Sequence, residues 1–218
     1  MAHNSRNILV LKAAWVQAMA LLISIVSAAV AYADEPTILI YGDSLLAGLG
    51  LGAEEGFEGQ LRAALAAEGK EVSIVNASVS GDTTADGLDR LAWTLGERPD
   101  AVILGLGAND MLRGLPVDET RANLDSMLQE LTSADLPVLL LGMKADRGLG
   151  ADYVEAFDRL FQALAEKHGV QFYPFYLEAI GLDAGFYQQD LRHPNAEGVA
   201  RIVVDVLPQV VALVDEIP

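Results

Sequence analysis

Five short apolar runs punctuate the chain, at residues 37–41, 72–76, 101–106, 137–142 and 170–173. Each is continuous rather than alternating, the pattern of strands buried on both faces. Between them lie segments whose apolar residues recur at helical spacing, at 57–68, 83–95, 117–131, 153–168 and 196–214. Punctuation supports these bounds. Gly69 and Gly169 follow the first and fourth helices, Asp82 is placed to cap the second, and Asn195 is placed to cap the last. Strand and helix alternating five times predict an α/β domain with one parallel sheet covered on both sides. In such sheets the working residues gather beyond the carboxyl ends of the strands. The places to look are therefore Gly42 onward, Ala77 onward, Gly107 onward, Met143 onward and the turn before the last helix.

A different pattern precedes the domain. Arg6 and Lys12 stand before an apolar run at 13–30 broken only by Gln17 and two serines, and Ala31-Tyr32-Ala33 fits a small-residue cleavage site. Residues 1–33 read as a secretory signal peptide. An uncleaved anchor is the alternative, since a membrane span needs about 20 apolar residues. Either way the expectation is an exported domain over 34–218, periplasmic or secreted, with no stable membrane insertion once the signal is cleaved.

Composition narrows the partners. The 218 residues carry a formal charge of −17, and residues 1–33 hold two basic residues and no acid, which leaves the domain at −19. A body this acidic disfavours nucleic acid, whose binding draws on Lys and Arg contacts to phosphate. The absence of cysteine removes disulfides, thiolate metal sites and Cys nucleophiles. No metal-binding cluster is visible either, so the expectation is a chain without cofactor whose activity survives chelators.

The strand ends carry the candidate chemistry. The first ends in Gly42-Asp43-Ser44-Leu45, and "NASVSGDTT" with Gly81 follows the second. Gly107-Ala108-Asn109-Asp110 follows the third, and Asp190-Leu191-Arg192-His193-Pro194 precedes the last helix. Topology brings all four to one edge of the sheet. A serine hydroxyl is a weak nucleophile until a base removes its proton, and histidine is the usual base. Of the three histidines, His3 lies in the leader and His168 closes a helix, where a positive side chain suits the dipole. His193 remains, and Asp190, three residues earlier, is spaced to accept the other ring N–H. Oxyanion donors are available from the backbone N–H groups of Ser44 and Gly81 and the side-chain amide of Asn109. Asp43 reads as a turn-fixing acceptor rather than a partner of His193.

These four blocks, in this order and across the whole domain, resemble the SGNH (GDSL) hydrolase family. "NASVSGDTT", "GANDMLRGLP" and "HPN" are most similar to its bacterial periplasmic arylesterase and multifunctional thioesterase/lysophospholipase subgroup. The resemblance implies a three-layer α/β/α flavodoxin-like fold and a metal-free acyl-serine mechanism. It implies Ser44 as nucleophile, His193 as base with Asp190 behind it, and Ser44, Gly81 and Asn109 as the oxyanion hole. Ala108 departs from the glycine of many relatives, at a position that donates nothing in this scheme. The implied substrates are small acyl or aryl esters, thioesters or lysophospholipids, with sugar-ester deacetylation as an alternative on the same machinery.

An apolar groove for an acyl or aryl group is expected from Leu45, Met111, Leu112, Leu115, Ile180 and Phe186. Arg113 is a lone charge in the lip 111–116, set to pair locally or to meet an anionic head group. One rival class is a nucleotide-binding module, because Gly48, Gly50 and Ala53 fit G-x-G-x-x-A. The match fails on context. Gly48 comes seven residues after Tyr41, whereas a dinucleotide fingerprint begins where the strand ends.

Overall fold

A computed structural model describes residues 35–218. The expected signal segment, 1–33, lies outside the described residues. Five strands, Thr37–Gly42 (β1), Ser73–Asn76 (β2), Ala101–Gly105 (β3), Val138–Leu141 (β4) and Gln171–Tyr173 (β5), form one parallel sheet in the order β2-β1-β3-β4-β5. Strands β1, β3 and β4 are almost wholly buried, as their unbroken apolar runs require.

Two one-turn helices, Ser44–Ala47 (α1) and Ala108–Leu112 (α4), follow β1 and β3 directly. The longer helices are Phe57–Ala67 (α2), Thr84–Thr94 (α3), Val117–Ser133 (α5), Ala151–His168 (α6) and Ala196–Asp215 (α7). Helices α2 and α7 pack together on one face of the sheet, and α3, α5 and α6 pack in a row on the other. The result is the expected α/β/α sandwich. Among the described residues no helix is long and apolar enough to cross a membrane.

The expected caps hold with one exception. Asn195 accepts the Gly198 N–H at 2.9 Å, and Gly169 closes α6 in the left-handed region. Asp82 does not cap α3. Thr83 does, because Asp86 three residues on makes a reciprocal capping box with it. That leaves the Asp82 carboxylate free for another partner.

The strand order reverses direction between β1 and β3, and ligands bind in such sheets in the crevice at this point. Gly42 ends β1 opposite Gly105 at the end of β3. The demand for glycine at position 42 is steric. A Cβ at Gly42 would stand 2.6 Å from the Gly105 carbonyl oxygen and 2.6 Å from Leu46 Cδ1. The close approach of β1 and β3 sets where Asp43 and Ser44 emerge.

Candidate active site

Asp43 is the N-cap of α1, and its Oδ1 accepts the Leu45 N–H at 3.0 Å. That hydrogen bond fixes the turn and puts Ser44 in the first position of the helix. The Asp43 side chain is buried, and this desolvation outweighs the Leu45 N–H and the nearby His193 to raise its carboxyl from 3.8 to about 6.

Ser44 faces the turn before α7. Its Oγ lies 2.9 Å from His193 Nε2, and His193 Nδ1 lies 2.5 Å from Asp190 Oδ2. The other Asp190 oxygen accepts the backbone N–H groups of Arg192 at 3.0 Å and His193 at 3.1 Å. The hydrogen bond with the ring, reinforced by these two amides, holds the Asp190 carboxyl down at about 2. It stays ionised at working pH and holds the imidazole with Nε2 toward the serine. Leu191, in this turn, has φ of +55°, a region costly for a branched side chain. The turn is braced from both sides. Gln188 N–H donates to the His193 carbonyl at 2.8 Å, and the Gln188 amide donates to the carbonyls of Leu49 at 2.7 Å and Pro194 at 3.0 Å. Gln188 therefore ties the serine loop to the histidine loop.

Ser44, Gly81 and Asn109 all line the same cleft. Gly81 has φ of +95° with open space where a Cβ would go, so the conformation rather than the room calls for glycine. The Asn109 amide donates to the Asp82 carbonyl at 2.9 Å and makes a long contact of 3.4 Å to Asp43 Oδ2. The next residue, Asp110, is buried and holds α4 to the start of α3. It accepts the Thr84 N–H at 2.9 Å and the Thr84 hydroxyl at 2.5 Å. Arg113 meets neither a carboxylate nor open solvent alone; it donates to the Gly81 carbonyl at 2.7 Å. His168, at the end of α6, is 2.6 Å from Asp125 and belongs to a separate surface cluster with Lys167.

The cleft above Ser44 has a volume of about 990 Å³. Of the six apolar residues named from the sequence, Leu45, Met111 and Leu112 lie along it, and Leu115, Ile180 and Phe186 lie elsewhere. Ile180 is buried in the core. Phe186 lies under the Arg201 guanidinium and against α7 at Gly198. Leu115 is occupied by backbone bonds, its N–H to Asp110 and its carbonyl to the Tyr153 hydroxyl. Their places are taken by Met143, Lys144 and Arg147 after β4 and by Phe175 and Leu177 after β5. The strand-end rule points to these segments, though not to the individual side chains. Leu49, Leu182 and Leu191 complete the rim and are themselves exposed. Among the described residues no group of three or more His, Asp or Glu side chains is placed to hold a metal ion.

Comparison with known proteins agrees with this geometry. The model of the GDSL-like Lipase/Acylhydrolase family matches residues 40–201. The chain is 40% identical over 173 residues to Esterase TesA of Pseudomonas aeruginosa, covering 79% of this chain and 86% of that protein. It is 36% identical over 162 residues to Thioesterase 1/protease 1/lysophospholipase L1 of Escherichia coli, covering 74% of this chain and 76% of that one. A crystal structure of TesA superposes with a TM-score of 0.77 at 40% identity, over 81% of this chain and 99% of that chain.

Proposed function

The chain belongs to the GDSL-like lipase/acylhydrolase family, and from that premise we propose that it hydrolyses carboxylic esters through an acyl intermediate on Ser44. The observation that carries the assignment is the continuous relay from Ser44 Oγ through the His193 ring to Asp190, at 2.9 and 2.5 Å. His193 Nε2 takes the hydroxyl proton as Oγ attacks the ester carbonyl. The negative charge that develops on the carbonyl oxygen is received by the N–H groups of Ser44 and Gly81 and the Asn109 amide. Asp190 stabilises the imidazolium, which then protonates the leaving alcohol. Water repeats the cycle on the acyl-serine and releases the acid. Asn109 keeps one amide N–H on the Asp82 carbonyl at 2.9 Å; the other makes only the long 3.4 Å contact to Asp43 Oδ2 and is the one to turn to the oxyanion.

Small acyl or aryl esters fit the cleft, and its leucine-rich rim favours an apolar acyl chain. Thioester and lysophospholipid hydrolysis need the same groups, and the Escherichia coli relative carries both activities in its name. Residues 1–33 support export to the periplasm or beyond; mass spectrometry of the protein from fractionated cells reads whether its N-terminus lies near Asp34. Replacing Ser44 with alanine tests the mechanism. The purified variant should keep its fold and lose p-nitrophenyl ester hydrolysis; retained turnover would rule out the acyl-serine route.

A further inference from the structure

We infer that Arg90, a residue of α3 remote from the sequence blocks of the site, is the positioning residue that aligns the oxyanion hole. The inference rests on the acyl-serine reading above. Its guanidinium is largely buried and spends its donors on three separate segments. Nε donates to Asp82 Oδ2 at 2.6 Å, Nη1 to the Ala77 carbonyl at 2.6 Å, and Nη2 to the Gly42 carbonyl at 3.2 Å. The fork lies over the Tyr41 ring, 4.0 Å from its centroid, and the Tyr41 hydroxyl is in turn anchored on the Gly87 carbonyl at 2.5 Å.

Each contact leads to one oxyanion donor. Gly42 precedes Asp43 and Ser44, so its carbonyl anchors the chain that carries the serine N–H. Ala77 opens the loop after β2 and Asp82 closes it, so Arg90 holds Gly81 from both ends. The Asp82 carbonyl holds the Asn109 amide at 2.9 Å, so the residue that Arg90 fixes also orients the third donor. The loop has other ties, which fix its ends and its Gly81 carbonyl separately. Ala77 N–H donates to the Ile40 carbonyl at 2.9 Å, Val79 N–H to the Gly42 carbonyl at 3.0 Å, and Asp82 N–H to the Val79 carbonyl at 3.2 Å. Ser78 N–H donates to Asn76 Oδ1 at 3.1 Å, and Arg113 to the Gly81 carbonyl at 2.7 Å. Arg90 alone spans β1 and both ends of the loop. One planar side chain thus ties β1 to both ends of the β2 loop and, through Asp82, to α4, while Arg113 holds the Gly81 carbonyl from the α4 side. A lysine could carry the charge but not the fork. Arg90 does not line the cleft, and its effect runs through the donors.

The test uses Arg90→Met and Arg90→Lys, with Arg159→Met on an exposed helix face as control. Functional sites are counted by titration with a p-nitrophenyl alkylphosphonate, so that rates are expressed per reactive Ser44. Misplaced oxyanion donors act on the transition state, so kcat per titrated site should fall about 10- to 100-fold in both Arg90 variants. KM should stay within about threefold. The inhibition constant of a boronic acid that forms a tetrahedral adduct with Ser44 should rise in the same proportion as kcat falls. A purely structural role would lower the number of titratable sites and leave kcat per site unchanged, and that result overturns the inference. Full kcat in Arg90→Lys overturns it as well, and that variant decides the matter if Arg90→Met does not fold. Should Ser44→Ala retain its rate, the acyl-serine reading falls, an outcome distinct from any of these.

Discussion

Ser44 Oγ and His193 Nε2 are 2.9 Å apart although 149 residues separate them in the chain. The contact exists because β1 and the turn before α7 deliver their ends to the same sheet edge. Asp190 contributes by holding the ring, and its carboxyl, at about 2, stays charged well into acid. Replacing it with asparagine preserves the shape but permits the wrong tautomer. Asp190→Asn should therefore lower kcat by roughly 10²–10⁴ with KM little changed, and His193→Ala should lose at least as much. Steady-state kinetics on a p-nitrophenyl ester check both. An Asp190→Asn enzyme at wild-type rate would remove Asp190 from the mechanism.

Asp43 links the site to pH-dependent stability. Its carboxyl has a higher proton affinity in the folded protein, about 6, than the ordinary value of 3.8. The folded state therefore binds the proton more tightly than the unfolded chain does. The stability this group contributes is complete below about 3.8 and declines as the pH rises through 6. Above that, the buried charge costs about 3 kcal/mol. Asp43→Asn keeps an oxygen for the Leu45 N–H and removes the charge. It should be more stable than the parent by up to about 3 kcal/mol at pH 8 and by about half as much at pH 5. Urea unfolding at the two pH values measures the difference. A gain that does not shrink toward acid would assign it to something other than this carboxyl.

The sheet and the four blocks were legible because they depend on local signals. A run such as Ile38 to Tyr41 has no polar face, and Asp190 and His193 lie within one turn of each other. Arg90 was not legible. An arginine in an amphipathic helix looks like a solvated residue, and only the packing of α3 beside β1 turns it toward three carbonyl and carboxylate partners. The pocket was half legible for the same reason. Leu45 and Leu112 adjoin the blocks, whereas Ile180 and Phe186 differ from Leu182 only in which way the chain turns after β5. Leu182 is fully exposed on the cleft rim, and Ile180, two residues earlier, is in the core.

That contrast makes Leu182 a probe of chain-length preference. It has no neighbours to lose, so Leu182→Ser should leave stability unchanged. If a long acyl chain covers about 50 Å² of this side chain, the lost contact is worth about 1.2 kcal/mol, or roughly five- to tenfold in kcat/KM. An acetyl ester, too short to reach the rim, should be hydrolysed at the wild-type rate. A series of p-nitrophenyl esters of increasing acyl length separates the two. Equal losses on acetyl and long-chain esters would place the acyl group elsewhere.

Gly42 and Gly105 lie opposite each other in the β1–β3 register, with Leu46 packed over both. A Cβ at Gly42 would meet two obstacles of different kinds, the Leu46 side chain and the Gly105 carbonyl oxygen, each at 2.6 Å. The side chain can rotate away, but the carbonyl belongs to the sheet and cannot. Gly42→Ala should therefore cost on the order of 1–3 kcal/mol. It should also lower kcat, since any shift of β1 moves Asp43 and Ser44 relative to His193. Trimming Leu46 to alanine in the same background removes the yielding obstacle and leaves the rigid one. The double variant should recover neither stability nor kcat, and its own cavity should make it less stable still. Denaturant midpoints and kcat for the two single variants and the double variant test this. Recovery in the double variant would show that Leu46, and not the strand carbonyl, is what requires glycine at the end of β1.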